Sequence, residues 1–176
     1  MATCNLTAAL ALDCLDNVGG LKNLWISSDF DYTSVTADST DGITAVTGGT
    51  GTYYQVDIPK QGASFTENFN VSEENGTAFF EQTITIPVQK LSSAKREQIQ
   101  LIAYNRATRC VVEDNNGVFW LIGLSRGCTL TAGTTTSGSA LGDASGYNFT
   151  LTAQEPEMMY QVENLAALTG TTFVNA

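Results

Sequence analysis

The sequence of 176 residues contains no histidine. This excludes the Ser-His-Asp and Cys-His catalytic arrangements and removes the commonest metal-binding side chain. Phosphate-binding motifs are also missing, because the chain has neither G-x-x-x-x-G-K-[ST] nor a G-x-G-x-x-G next to a predicted strand. The sequence therefore predicts no enzyme activity, no catalytic residues, no resident cofactor and no metal site.

Basic residues are scarce. Eight Lys and Arg stand against 18 Asp and Glu, which gives a net charge of -10. Most of the surface should repel nucleic acid phosphates, so specific DNA binding is disfavoured. The same charge is compatible with a wall past which nucleic acid slides, because weak repulsion avoids the counterion-release affinity that would hold a moving polyanion.

Cysteine is sparse and long apolar runs are absent. The cysteines Cys4, Cys14, Cys110 and Cys128 form no C-x-x-C pair, and we expect buried free thiols, with a Cys4–Cys14 or Cys110–Cys128 bridge as the alternative. No stretch reaches the roughly 18 apolar residues of a membrane helix. The first lysine is Lys22, so the apolar residues before it do not predict a secretory signal, and synthesis in the cytoplasm is expected.

Thr, Ser and Gly are abundant beside 43% apolar and 15% charged residues, a composition typical of a β-rich protein with many turns. Apolar residues alternate on both sides of "EENG" and predict an antiparallel hairpin. The stretch "YNFTLTAQEP" predicts a closing strand that Pro156 ends. We predict a single β-rich domain over residues 1–157, followed by a tail or arm, 158–176, that orders only against a partner.

One segment changes from the period of a strand to that of a helix. Residues 91–106 predict an amphipathic α-helix that Ser92 or Ser93 caps, with an apolar face formed by Leu91, Ala94, Ile99, Leu101 and Ile102. The fold class is therefore mainly β: an antiparallel β-sandwich or barrel with one flanking helix. The helix and its margins are rich in basic side chains, which form either a solvated polar face or a patch that meets the acidic face of a neighbouring subunit. The candidates for that patch are Lys95, Arg96, Arg106 and Arg109.

The stretch "CVVEDNNGVFWLIG" places two acids and a turn sequence between two apolar runs. Adjacent residues of a strand point to opposite faces, so Glu113 and Asp114 do not form a shared catalytic site. Asp114 suits an Asx turn, and Asn115, Asn116 and Gly117 accept positive φ. We predict a hairpin whose tip presents Glu113, Asp114, Asn115 and Asn116 to a neighbouring subunit or to a lumen.

Residues 125–146 are dominated by Gly, Ser and Thr. A loop this long in a compact domain is usually functional or reaches outward. We expect it to contact adjacent subunits and to include at most one strand, near Cys128.

Four stretches together resemble a known group of proteins: "NLTAALALDCLDNVGGLKNLWI", "FFEQTITIPVQKLSSAKREQIQLIAYNR", "VVEDNNGVFWLIG" and "SGSALGDASGYNFTLTAQEPE". They resemble small virion structural proteins of tailed bacteriophages of Bacteroidetes hosts, including crAss-like phages. The resemblance covers the chain from about residue 4 to 157. Its most specific parts are "EDNNG" and the closing strand.

The resemblance implies a tail tube or tail ring subunit. Such subunits are similar to a β-sandwich or barrel with one flanking helix, and their hairpins and loops join neighbours into a ring with an acidic lumen for the genome. The implied partners are further copies of the chain, other tail or portal-proximal proteins, and DNA in transit, without a membrane. The implied location is the virion tail.

Two alternatives remain open at the level of the sequence. A head decoration or collar protein would share the acidic, β-rich composition. A carbohydrate-binding module would use aromatic side chains as stacking platforms, with Trp25, Tyr53, Tyr54 and Trp120 as the candidates. Trp120 lies in an apolar run, which favours a place in the core.

Overall fold

The structure, a computed structural model, describes residues 15–38 and 42–176. These residues form twelve strands, one α-helix and a short 3-10 helix. The strands are β1 (Leu21–Ser27), β2 (Ser34–Asp38), β3 (Gly42–Thr47), β4 (Thr52–Gln55), β5 (Ser64–Ser72), β6 (Thr77–Gln89), β7 (Arg109–Asp114), β8 (Phe119–Ile122), β9 (Thr129–Thr136), β10 (Gly146–Glu155), β11 (Tyr160–Val162) and β12 (Thr172–Val174). Helix α1 spans Ser93–Tyr104, and the 3-10 helix spans Leu165–Ala167.

The strands form two sheets. Eight of them have the order β12-β4-β1-β7-β8-β11-β3-β2, and the other four have the order β5-β6-β10-β9. Neighbours are antiparallel, except that β11 pairs with β3 and β12 pairs with β4 in parallel. The sheets pack face to face as a sandwich and do not close into a barrel, which confirms the predicted mainly β class.

The central strands of the larger sheet are apolar on both faces. Leu24 and Val112 face the core between the two sheets. Their chain neighbours Trp25 and Val111 face a second core, which the larger sheet forms with its own outer elements. Strands buried on both faces appear in the sequence as continuous apolar runs, which explains the runs on either side of "EDNNG".

The hairpin predicted around "EENG" is confirmed as β5 and β6, paired from Ser64 opposite Thr85 to Ser72 opposite Thr77. The predicted closing strand is confirmed as β10, which pairs with β6 on one side and with β9 on the other. Alternate residues of these strands face the inter-sheet core, among them Ile84, Ile86, Phe149 and Leu151.

Helix α1 is confirmed, and Ser92 is its N-cap, because its hydroxyl accepts a hydrogen bond from the Lys95 amide. The predicted apolar face is only partly correct. Ile99 and Ile102 pack against the inter-sheet core, whereas Leu101 is 60% exposed. The helix lies across the β9 edge of the sandwich, where only one narrow stripe of its surface contacts the sheet.

The prediction of a separate tail over 158–176 is wrong. Strand β11 pairs with β8 and β3, and β12 pairs with β4, so this segment belongs to the larger sheet. Val162 and Leu168 are almost fully buried in the second core. Strands of three residues are too short to show a period of two, and the burial of their side chains stabilises them only once the sheet has formed.

The prediction for residues 125–146 is partly correct, because the one strand expected near Cys128 is present but the long loop around it is not. Residues 129–136 form strand β9, and the connection to β10 is confined to residues 137–145. Gly133 and the surrounding threonines have the composition of a loop, but β9 is an edge strand and pairs with β10 along most of its length. Threonine has a high strand propensity, and in residues 129–136 this propensity outweighs the loop-like composition.

Candidate functional site

The β7–β8 turn, residues 113–118, is a closed local structure. Asp114 Oδ1 accepts hydrogen bonds from the amides of Asn116 (2.8 Å) and Val118 (2.9 Å). This is the predicted Asx turn. Gly117 alone in the turn has positive φ, at 81°, so the two asparagines do not fill the role that the sequence suggested for them.

Glu113 is not presented at the hairpin tip. Its side chain is 9% exposed and pairs with Lys22 Nζ at 2.5 Å, and Asn23 Nδ2 donates to its second oxygen at 2.6 Å. Strand β1 lies beside β7, with Asn23 opposite Glu113, and this pairing supplies both partners. The carboxylate fixes β1 to β7 and is not open to a neighbouring subunit or a lumen.

Asn115 and Asn116 hold the segment that enters β1, residues 17–20. Asn115 Nδ2 donates to the Gly19 carbonyl at 2.7 Å. Asn116 Nδ2 donates to the Val18 carbonyl at 3.1 Å, and its Oδ1 accepts from the Val18 amide at 2.8 Å. The turn therefore acts as a clamp within the chain. All three polar residues after Glu113 use their side chains for contacts inside the protomer.

The four candidate basic residues do not form one patch. Arg109 is half-buried, lies over the Phe30 ring, and donates to the carbonyls of Phe30, Ala107 and Leu124. Lys95 is exposed, and its Nζ donates to the Gln89 carbonyl at 2.6 Å. Arg96 and Arg106 are exposed on α1 and just after it. Arg109 is thus structural, and the other three remain at the surface near the β9 edge.

A second surface feature is the end of the β5–β6 hairpin, residues 69–80, here called the β5–β6 arm. Strand β10 ends at Glu155, opposite Phe80, so the arm extends beyond its third strand. Phe69 is 61% exposed and Val71 is 74% exposed. The Phe69 ring contacts Phe80 edge-on, at 5.4 Å between centroids. The arm is therefore an apolar projection.

The turn of the arm is acidic, because Glu73 and Glu74 are exposed there. The packed core of the sandwich ends at Glu67, two residues before the arm. Glu67, on the same face as Phe69, accepts from the Met159 amide at 2.8 Å and from Gln82 Nε2 at 3.0 Å. Beyond Glu67, no part of the described chain covers the inner face of the hairpin.

At the opposite edge of the same sheet, α1 and β9 enclose a groove of about 310 Å³, here called the α1 groove. Its floor is apolar and its rim carries a cation. Ile99 and Ala103 line it from the helix, Leu130 and Tyr147 line it from the sheet, and Arg96 stands at its edge. The α1 groove lies at the β9 edge of the four-stranded sheet, and the exposed Phe69 and Val71 lie at its β5 edge. Both are on the same face of the sheet.

The outer face of the four-stranded sheet is rich in hydroxyl groups. In register across the strands, Thr66 lies opposite Thr83, Thr83 opposite Thr152, and Thr152 opposite Thr129. All four strands lie in the described part of the chain, and by alternation Glu81 is the one charged strand residue on this face. A protein with a net charge of -10 thus keeps one broad face almost neutral.

A buried carboxylate lies at the end of the sandwich next to the β5–β6 arm. Glu155, which is 4% exposed, accepts from the amides of Ser125, Arg126 and Gly127 at 2.8–3.3 Å. It lines a cavity of about 260 Å³ with Gln82 and the methionines 158 and 159. Because Glu155 and Gln82 are already hydrogen-bonded by the chain, this acid has a structural role.

Most aromatic residues proposed for sugar stacking are inside the protein. Trp25 and Tyr53 are buried. Trp120 packs on the inter-sheet core, and its indole lies 6.3 Å from the Phe65 ring. Burial raises the pKa of the Tyr53 hydroxyl far above its usual range. Tyr54 is exposed, but a single ring does not make a carbohydrate-binding platform.

Cys110 and Cys128 are free and fully buried. A hydrogen bond to Cys128, together with burial, raises the pKa of the Cys110 thiol. Cys4 and Cys14 lie outside the described residues, so the alternative of a bridge between them remains a prediction.

Within residues 15–38 and 42–176, no group of three or more Cys, Asp or Glu side chains is placed to hold a metal ion. In the same part of the chain, no helix has the length and apolar character to cross a membrane. No known protein family, curated protein or solved structure matches the chain. Its function therefore has to be argued from the surfaces described above.

Proposed function

We propose that this chain is a non-enzymatic virion structural protein of a tailed bacteriophage, a tail tube or tail ring subunit whose copies assemble into a ring around a channel for DNA. One observation carries the proposal. Both edges of the four-stranded sheet are unpaired within the described chain, β5 at one side and β9 at the other. Unpaired edges favour pairing with another strand.

The strand directions are compatible with identical copies that join edge to edge into a closed ring. Neighbours in the order β5-β6-β10-β9 are all antiparallel, so β5 and β9 run in opposite directions. A second copy related by rotation about an axis parallel to the strands keeps these directions, so its β5 would lie antiparallel to β9 of the first copy. Such a head-to-tail contact produces a ring when the rotation closes.

The neutral outer face also supports the proposal. If the sheets of several copies continue one another, this face lines one side of the assembly. Hydroxyl groups without cations release few counterions from DNA and so hold it weakly. The channel that we propose is therefore lined mainly with threonine and differs in this respect from the acidic lumen that the resemblance implies.

Electron microscopy of the purified protein tests this function directly. We expect negative-stain images to show rings, or short stacks of rings, with a central opening. Light scattering should give a mass that is a fixed multiple of the 18.7 kDa chain. A protein that stays monomeric across the accessible concentrations, at both low and physiological salt, would contradict the proposal.

The position in the particle needs a second measurement. Antibody labelling of purified virions should mark the tail, together with its other structural proteins, and leave the head unmarked. Label distributed over the head would instead identify a decoration protein, and label confined to the neck would identify a collar protein.

A further inference from the structure

We propose that the β5–β6 arm of one copy docks into the α1 groove of the next copy, so that Phe69 and Val71 pack beneath helix α1. This inference rests on the proposed assembly of identical copies and names the two surfaces that make the contact. The partner is a second copy of this chain.

The arm and the groove share one face of the sheet. Phe65 packs against the inter-sheet core, and Phe69 and Val71 follow it by four and six residues, so all three point to the same side of β5. Helix α1 lies on that side of the sheet, because Ile99 and Ile102 contact the same core. When β5 of one copy extends the β9 edge of another, with a stagger along the strands that brings residues 69–71 level with residues 133–135, Phe69 and Val71 lie on the same side of the sheet as the helix of the neighbour.

The two surfaces are also both apolar. Phe69 and Val71 are 61% and 74% exposed on a projection that the described part of their own chain leaves uncovered. The α1 groove offers Ile99, Ala103 and Leu130 on its walls. An aromatic side chain that fills an apolar pocket is the usual form of a dominant contact in an interface.

The two surfaces are complementary in charge. The arm carries exposed Glu73 and Glu74 at its turn, and the groove carries Arg96 at its rim. Helix α1 also has exposed Glu97, but Lys95 and Arg96 outnumber it, so the helix is basic and the arm is acidic. Complementary potentials of this kind fix orientation and suppress contact between two arms or between two grooves.

Two variants separate the surfaces. Phe69→Ser with Val71→Ser removes the apolar side chains of the arm and leaves the groove intact. Ala103→Glu places a carboxylate in the groove, at a residue that is exposed on the helix, and leaves the arm intact. Tyr54→Ser is the matched control, because Tyr54 is 57% exposed on a strand of the other sheet.

The test measures assembly of the full chain by sedimentation velocity. We expect each of the two variants to remain monomeric at concentrations where the wild type and Tyr54→Ser assemble, a loss of affinity of about 100-fold or more for removal of central apolar contacts. An equimolar mixture of the two variants should give dimers and nothing larger, because each dimer buries the one intact arm in the one intact groove. Thermal unfolding of the variants should match that of the monomeric wild-type chain.

The outcomes separate this inference from the proposed function. Assembly of the arm variant equal to that of the wild type would overturn the docking inference and leave the ring proposal standing. Two monomeric variants that form no dimer when mixed would overturn the pairing of arm with groove. A wild-type chain that never assembles would overturn both proposals.

Discussion

Asn116 and Val18 form a reciprocal pair of hydrogen bonds: the Val18 amide donates to Asn116 Oδ1, and Asn116 Nδ2 donates to the Val18 carbonyl. The side-chain amide thus pairs with the backbone of residue 18 as a neighbouring strand would. The turn that connects β7 and β8 is therefore joined to the chain almost a hundred residues before it. Both residues lie at the surface, so the pair is open to direct test.

Replacing Asn116 with alanine should release the segment 17–20. We expect the Val18 amide to exchange with solvent at least tenfold faster, and the protein to lose about 1 kcal/mol, as is typical when an exposed pair of hydrogen bonds is lost. Hydrogen exchange followed by mass spectrometry or NMR measures the first effect. Asn75→Ala, in the turn of the β5–β6 arm, is the matched control. Unchanged exchange at Val18 would show that the clamp does not order the segment.

Replacing Glu113 with glutamine should destabilise the sandwich without abolishing its fold. The carboxylate is 9% exposed and accepts from Lys22 and Asn23, and a charge-assisted bond is stronger than its neutral counterpart. We expect a loss of about 1–2 kcal/mol in urea unfolding. Lys22→Met should cost less, because the Lys22 side chain is 58% exposed and solvent screens its charge.

Glu163→Gln is the control for that series, because Glu163 is exposed and should change stability by less than about 0.5 kcal/mol. If the two glutamine variants have the same urea midpoint, Glu113 does not fix β1 to β7 in the way the structure indicates.

The connection between β9 and β10 should respond to acid. Hydrogen bonds from the Ala140 amide and from the amide and hydroxyl of Ser139 lower the pKa of Asp143 below its usual value. Because the folded pKa is below the unfolded one, these bonds stabilise the turn fully above the unfolded pKa of about 3.9. That contribution falls as the pH drops through the folded pKa.

Amide chemical shifts of Ser139 and Ala140 measure this transition. In the wild type they should change with a midpoint below pH 3.9. In Asp143→Asn they should be independent of pH over the same range. A midpoint at or above the ordinary value for an aspartate would contradict the observed capping.

Cys110 and Cys128 should be unreactive in the folded protein. Both are fully buried, and the raised pKa of Cys110 lowers its thiolate fraction near neutral pH. In a Cys4→Ser, Cys14→Ser background, we expect labelling by a thiol-specific disulfide reagent to follow global unfolding in urea. Fast labelling of either thiol without denaturant would show that the core between the sheets opens locally.

Local chemistry explains why parts of the fold were predictable. Ser92 caps α1, and Asp114 closes the β7–β8 turn, through bonds to amides two to four residues away. The hairpin around "EENG" follows from a period of two on each side of a turn. Because these interactions join residues that are close in the chain, the sequence predicts them without knowledge of the partner strands.

The candidate site was less predictable for the opposite reason. The sequence identified the β7–β8 turn but could not reveal that Lys22 and Asn23 donate hydrogen bonds to the Glu113 carboxylate, because β1 is some ninety residues away. The alternation before "EENG" puts Phe69 on the same side of β5 as Phe65, which packs against the core. The exposure of Phe69 depends on where β10 ends, which is a property of the assembled sheet.

The sequence by itself determined that this protein is mainly β with one helix, where that helix begins, and how the hairpins at 73–76 and 114–118 turn. These features depend on backbone preferences and on hydrogen bonds within a few residues. Only the tertiary structure decided that residues 160–174 complete the larger sheet, that β9 and β5 are left as unpaired edges, and that Phe69 and Val71 emerge from the core. Those features depend on pairing and burial between strands far apart in the chain, whose stabilisation exists only after the sheets have formed.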